Sequence, residues 1–308
     1  MIEIRDLVKD FGGSRALDGI SFRVDEGDVF GFIGPNGAGK TTSMRILATL
    51  LEPTAGSASV AGHDVVEEPE AVRAVTGFMP DAYGVYEGLS VREYLDFFAA
   101  AMGLRLPRRD RAVQDVMALT DLGGLAGKPV AALSKGMKQR LCLAKTLVHD
   151  PKVLILDEPA SGLDPRARIE FRALLRELRR MGKTILISSH ILTELSEVCN
   201  RIGIIEAGRM IASGTVGEIL ARVAPFPWVQ VAVRARAEEA VRAILELPFV
   251  RKASAEGLSV RIECAEKDPD VPEIVRRLVA AGVPVLEVRR EGAGLEDLFM
   301  KVTEGKVQ

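Results

Sequence analysis

Two periodicities alternate along this chain and mark its elements. Apolar and polar residues alternate around residues 2–7 and 20–24, and an unbroken apolar run covers 29–33, which predicts strands. Helical spacing follows over 40–51, ended by Pro53 and Gly56, and the pattern of 67–125 is mostly helical. A glycine-rich turn therefore lies between a buried strand and a helix.

Shorter elements alternate in the middle of the chain. Apolar strands are predicted at 153–156 and 184–188, and helices at 166–181 and 191–199. Strands that alternate with helices of this length are typical of a mostly parallel sheet covered on both faces. The expected fold class is α/β.

A domain boundary is predicted near Pro225 and Pro227. Beyond it the pattern gives a strand, a helix, strands, a helix and a strand, at 229–233, 238–247, 258–264, 271–281 and 283–288, and then a last helix at 295–302. This order predicts a small ferredoxin-like α+β domain. We therefore expect an α/β domain at 1–222, with a helical subdomain at about 85–150, and an α+β domain at 228–308.

Composition and charge narrow the classes of function. The 308 residues are 47% hydrophobic and 27% charged with a net charge of −2, so a globular protein is expected and a nucleic-acid partner is not. Three cysteines without paired spacing fit a reduced compartment. The charged start is not a secretory signal, and no apolar run reaches the roughly 20 residues that span a bilayer. A role at a membrane would therefore come through a partner.

The glycine-rich turn carries a phosphate-binding motif. Residues 34–41 read GPNGAGKT and match G-x-x-x-x-G-K-[ST] at every fixed position. Glycines let backbone N–H groups surround a phosphate, Lys40 can reach the β- and γ-phosphates, and the Thr41 hydroxyl can bind Mg²⁺. The next helix points the positive end of its dipole at the anion. A flexible turn is the plain alternative, and the strand and helix around it favour nucleotide binding.

A second group of motifs lies between residues 133 and 164. Residues 153–158 read VLILDE, an apolar strand that brings Asp157 and Glu158 to the carboxyl edge of the sheet, where ligands bind in such folds. Ser134, in LSKGM, can cap a helix that runs to about residue 149. Asp164, in SGLD, can cap the helix that begins with Pro165.

Together these motifs resemble the ATP-binding cassette (ABC) ATPases, the motors of ABC transporters, over roughly residues 1–220. The resemblance implies ATP and Mg²⁺ as cofactors, with Glu158, His190 and Lys40 in catalysis. The implied Mg²⁺ ligands are Thr41, Asp157 and Asp81. The implied nucleotide contacts are Phe11, Ala16, Gly34, Pro35, Asn36, Gly37, Ala38, Gly39, Lys40, Thr41, Thr42, Ser134, Gly136, Met137 and Asp164.

The resemblance also assigns roles. In the family Glu158 would polarise the attacking water, His190 would contact the γ-phosphate, and Phe11 would stack on adenine. Two cassettes meet head to tail, so that the 134–137 turn and Asp164 serve the ATP of the opposite subunit. For His63 and His149, which lack such a context, we expect surface positions.

Three positions depart from the family pattern. Lys135 replaces a glycine and Met137 a glutamine in the signature. Asp81 stands where the family has a glutamine that binds Mg²⁺ and links the site to the membrane partner. Aspartate could still reach the ion, could act mainly in coupling, or could be a loop residue without a ligand role.

Aromatic residues favour one branch of the family. Tyr83, Tyr86 and residues 94–98 resemble ABC-2 type exporter ATPases, where such a cluster would receive a helix of the partner. The leading hypothesis is an ATPase subunit, homodimeric and cytoplasmic, held at the inner face of the membrane by permease subunits.

Two alternatives come from other classes. A soluble ABC ATPase acting in translation would carry two cassettes, and one acting in DNA repair would carry a long coiled coil. This chain has one cassette and no heptads between residues 40 and 133. A regulator without turnover is disfavoured because Glu158 and His190 are both present. For the C-terminal domain, dimerisation and ligand sensing both stay open.

Overall fold

The computed structural model describes residues 1–82, 84–189, 195, 197–223, 228–265 and 269–291, with backbone alone at 220–223 and 291. Contacts divide them into two compact units, one extending to Val216 and the other beginning at Gly217. The domain limits 1–222 and 228–308 stay a prediction. His190, Tyr83, the last helix and most of the helix at 191–199 lie outside the described residues.

The elements of the first unit are as follows. The strands are β1 (Ile2–Asp10), β2 (Arg15–Val24), β3 (Val29–Ile33), β4 (Ala55–Val60), β5 (His63–Asp64), β6 (Thr76–Met79), β7 (Val153–Leu156), β8 (Thr184–Ser189), β9 (Arg201–Glu206) and β10 (Arg209–Thr215). The helices are α1 (Lys40–Leu47), α2 (Pro69–Val75), α3 (Val91–Ala101), α4 (Arg108–Leu119), α5 (Lys135–Leu147) and α6 (Pro165–Arg180). Short 3₁₀ turns lie at Gly123–Leu125 and Val130–Ala132. Helix α7 (Val216–Val223) follows β10 and belongs to the second unit from Gly217 onward.

A six-stranded sheet forms the centre of this unit. Its order is β10-β9-β3-β8-β7-β6, and every pair is parallel except β9 with β10. Every residue of β3, β7 and β8 is buried, because both faces of a central parallel strand are covered. A second, antiparallel sheet has the order β2-β1-β4-β5, and its apolar residues share one core with the central sheet. The predicted α/β class is confirmed.

The second unit is a small α+β fold. Its elements are β11 (Trp228–Val233), α8 (Ala237–Leu245), β12 (Val250–Glu256), β13 (Ser259–Cys264), α9 (Val271–Ala280) and β14 (Val285–Glu291). The strand order is β12-β13-β11-β14, all antiparallel. Alternate strand residues and the apolar sides of both helices form one core. This β-α-β-β-α-β arrangement confirms the ferredoxin-like prediction.

Several details differ from the sequence-based expectation. The stretch 67–125 contains strand β6, which is only four residues long and carries no period of its own. Strands β4, β9 and β10 were not predicted either. Helix α1 ends at Leu47 instead of residue 51, because Thr49 adopts a left-handed conformation (φ 59°) and Leu50 N–H donates to Arg45 O at 2.9 Å.

His149 is not a surface residue, so that expectation is wrong. It is half-buried beyond the end of α5, and its Nε2 lies 3.1 Å from the carbonyl oxygen of Thr76 at the start of β6. Since a carbonyl only accepts, Nε2 donates this bond. His63, at β5, is partly exposed and its Nδ1 lies 3.0 Å from Glu68 Oε1. Among the described residues, no helix combines the length and apolar character that crossing a membrane requires.

Candidate nucleotide-binding site

The phosphate-binding motif forms a tight turn between β3 and α1. Gly37 and Gly39 have left-handed φ angles of 80° and 105°. A Cβ on Gly39 would lie 2.6 Å from Ala16 O, and one on Gly34 would lie 2.3 Å from Ile205 O. Larger residues would push the loop off β2 and β9, so these glycines are required for its shape.

Lys40 points into this turn. Its side chain is buried, and Nζ donates to the carbonyl oxygens of Gly34 at 2.6 Å and Pro35 at 3.0 Å. Burial lowers the Lys40 pKa, while the nearby carboxylates of Glu158 and Asp157 raise it. A buried ammonium ringed by a glycine turn at a helix N-terminus is a site for an anion such as a phosphate.

The acidic pair follows β7, as predicted. Asp157 is 1% exposed, and its Oδ1 accepts a hydrogen bond of 2.6 Å from Ser188 Oγ. The same Oγ accepts from Glu158 N–H at 2.8 Å. Ser188 comes from β8, the neighbour of β7 in the sheet. Ser188 was not predicted from the sequence, although the two serines at the end of the otherwise mostly apolar strand β8 were a visible signal.

Glu158 has an unusual backbone. Its φ of 46° is left-handed, which costs a non-glycine residue roughly 1 kcal/mol. The bond from its N–H to Ser188 and the one from Ser161 N–H to its carbonyl oxygen (3.0 Å) hold it there. Such strain is typical of residues whose side chain must point in one direction.

Asp81 lies at the same edge of the sheet as the acidic pair. Strand β6 runs parallel to β7, with Met79 opposite Leu156, and Asp157 N–H donates to Met79 O at 2.8 Å. Asp81 follows two residues beyond the end of β6 and is exposed. The oxygen ligands of Thr41 and the buried Asp157 fit Mg²⁺, which prefers one or two protein oxygens together with phosphates and water.

The signature turn and Asp164 form a different surface. Ser134 Oγ accepts from Met137 N–H at 3.3 Å and caps α5, and Asp164 Oδ1 accepts from Ala167 N–H at 2.9 Å and caps α6. Both predicted caps are confirmed. Ser134, Gly136, Met137 and Asp164 line one cavity of about 500 Å³, and none of the residues that line it belongs to the 34–42 turn.

Phe11 and Ala16 flank the turn that joins β1 to β2. Phe11 is 56% exposed, with Lys9 Nζ 5.2 Å from its ring centroid. Ala16 meets the phosphate-binding turn through its carbonyl oxygen. The exposed ring of Phe11, at the end of β1, is available to stack on a base, and that role stays a prediction.

Fold and site together define a P-loop protein that binds a nucleoside triphosphate. The sequence profile of the ABC transporter family matches residues 17–161. The daunorubicin resistance ATP-binding protein DrrA3 of Streptomyces coeruleorubidus is 36% identical over 96% of this chain and 93% of its own length. The Nod factor export ATP-binding protein I of Ralstonia nicotianae is 32% identical over 98% and 94%. A solved ATP-binding subunit of an ABC transporter aligns with a TM-score of 0.66 and 32% identity, over 72% of this chain and 92% of that one.

The daunorubicin resistance and Nod factor export proteins align with almost the whole chain. It therefore belongs to the ABC transporter family, as an ATP-binding subunit whose activity is the Mg²⁺-dependent hydrolysis of ATP.

Proposed function

We propose that this chain powers a multi-chain exporter of the ABC-2 type and that two copies close head to tail around ATP. The observation that carries the proposal is the separation of two half-sites. The P-loop with Asp157 and Glu158 forms one, and the cavity lined by Ser134 and Gly136 forms another without P-loop residues. A second copy would supply the missing half to each.

Within one site the proposed roles are those that the family resemblance implies for these residues. Lys40 and the N–H groups of the glycine turn bind the phosphates, and Thr41 and Asp157 hold Mg²⁺, directly or through water. The ion, when bound, neutralises charge on the phosphates. Ser188 Oγ donates to Asp157 Oδ1 at 2.6 Å and so fixes the position of this carboxyl group. Glu158 polarises the attacking water, and His190 contacts the γ-phosphate.

Asp81 is proposed as a further oxygen ligand of Mg²⁺ at this edge. Its place beyond β6, next to the strand that directly precedes Asp157, supports this role. If it is correct, Asp81→Asn should shift the Mg²⁺ dependence of turnover to higher concentrations. An unchanged Mg²⁺ titration would leave Asp81 a coupling or loop residue.

The partner surface is proposed to be the aromatic cluster of Tyr86, Phe97 and Phe98. Tyr86 and Phe97 are 55% and 50% exposed, with ring centroids 5.6 Å apart, and Phe97 and Phe98 are 5.2 Å apart. Exposed aromatic groups of this kind mark protein interfaces. Because Tyr86 follows Asp81 by five residues, a membrane-embedded permease bound here would lie close to the ATP site.

One relative named for Nod factor export and another named for drug resistance favour this partner over a role in translation or on DNA. The chain would work in the cytoplasm at the inner face of the membrane. Tyr86→Ala with Phe97→Ala should weaken co-purification with the permease, whereas Ile169→Ala, also an exposed apolar residue, should not. Equal recovery of the permease with the wild type, the double variant and Ile169→Ala would reject this surface.

The ATPase mechanism is tested with Glu158→Gln. ATP binding should persist while turnover falls by at least ~100-fold, as expected for loss of a general base. The variant should also elute as a dimer with ATP and as a monomer without it. Glu177→Gln, an exposed position on α6, is the control. Unchanged turnover would reject the role of Glu158, and lost turnover without an ATP-dependent dimer would reject the head-to-tail pair.

A further inference from the structure

Helix α5 contacts the loop that carries Glu158 in its own chain. Gln139, on the second turn of α5, is 3% exposed, and its Nε2 donates to the carbonyl oxygen of Pro159. Pro159 directly follows Glu158. A buried amide that reaches a backbone carbonyl fixes that peptide, because leaving either partner unpaired in the interior is unfavourable.

The turn needs such support. Glu158 is left-handed, and the proline after it further restricts its backbone. Ser188 holds the N–H of Glu158 from the β8 side, and Ser161 N–H holds its carbonyl oxygen. Gln139 adds an anchor from the helical side, one peptide further along. Together these bonds fix the backbone of Glu158 and thereby the direction in which its side chain points.

A second contact brings the first turn of α5 against the same loop. Gly162 has φ 66°, and a Cβ built on it would lie 1.9 Å from Lys135 Nζ. Gly136 also packs close to Leu163, since a Cβ on Gly136 would lie 3.8 Å from Leu163 Cδ2. Helix α5 therefore contacts residues 159–163 at two separate places.

We propose that Gln139 is a positioning residue for Glu158: by holding the Pro159 carbonyl, it sets the carboxylate at the place where water attacks ATP. The proposal rests on the role of Glu158 given above. Ser134, which is proposed to contact the γ-phosphate of the opposite subunit's ATP, begins the same helix. Glu158 of one ATP site and Ser134 of the other are therefore connected through α5 within a single chain.

The first test removes the donor with little change of volume. In Gln139→Leu, kcat should fall about 10- to 100-fold, the cost of a misplaced catalytic group, while KM for ATP and ATP binding change less than about twofold. Lys138→Ala, at the residue that precedes Gln139 on α5, is the control and should keep wild-type kcat. A merely structural role would instead weaken ATP binding in step with kcat. The lost hydrogen bond lowers the melting temperature in either case, so the split between kcat and ATP binding decides.

The second test keeps the proposal falsifiable if the leucine variant folds poorly. A buried glutamic acid stays protonated to higher pH and can donate its O–H to Pro159 O. Gln139→Glu should therefore recover kcat relative to wild type as the pH falls from about 8 to about 6, and Gln139→Leu should not. If Glu158→Gln abolishes turnover but both Gln139 variants keep wild-type kcat and pH profile, Gln139 has no positioning role. If Glu158→Gln keeps turnover, the base assignment itself fails.

Discussion

Ser188→Ala removes one hydroxyl that serves both acidic residues of the ATP site. Its Oγ donates to Asp157 Oδ1 at 2.6 Å and accepts from Glu158 N–H at 2.8 Å. Asp157 and Ser188 are almost fully buried. The substitution therefore leaves a buried carboxylate with one donor fewer and a backbone N–H without its partner.

The cost follows from these two groups. A hydrogen bond to a charged group contributes about 1.5–3 kcal/mol, and an unsatisfied buried N–H costs about 1–3 kcal/mol. Because the groups are neighbours and can relax together, we expect about 3–5 kcal/mol in the free energy of unfolding of the first unit. For a unit of this size, that lowers Tm by about 6–20 °C.

Scanning calorimetry of the full chain measures this change in the transition of the first unit. Ser213→Ala, at an exposed residue of β10, is the matched control and should change the stability by less than about 0.5 kcal/mol. Turnover should fall as well, since Glu158 loses an anchor. A Tm for Ser188→Ala within about 2 °C of the control, less than 1 kcal/mol of change, would refute the reasoning.

Two further substitutions test other features. Gly39→Ala should weaken ATP binding by about 10- to 100-fold, because backbone strain of about 1–3 kcal/mol at φ 105° adds to the clash with Ala16 O. The control Gly62→Ala, at φ 90° in open space, should leave ATP binding unchanged. Equal ATP binding by both variants would contradict the tight loop. Burial lowers the pKa of His149 from its ordinary value of 6.5, so the unfolded chain binds a proton more readily and the folded state loses stability as the pH falls below that value. In His149→Gln the fall in Tm between about pH 7.5 and about pH 5.5 should be smaller than in wild type, and an equal fall would reject this source of acid sensitivity.

Much of the site could be read from local sequence. The glycine turn and Lys40 depend on residues next to one another, and the caps by Ser134 and Asp164 depend on groups three positions away. Such interactions form within one turn of backbone and leave a fixed spacing. The ferredoxin-like order of the second unit was equally visible, because each of its elements has a clear period.

Contacts between distant residues were not visible in this way. Strands β6, β7 and β8 lie side by side and parallel, although long helical segments separate them along the chain. Only that order brings Ser188 to Asp157 and Asp81 to the same edge. Gln139 likewise reads as an ordinary helix residue until the fold places it against Pro159. Short motifs specify which groups bind ATP because their geometry is local, whereas the anchors that aim those groups come from neighbouring elements and exist only once the sheet and α5 have packed.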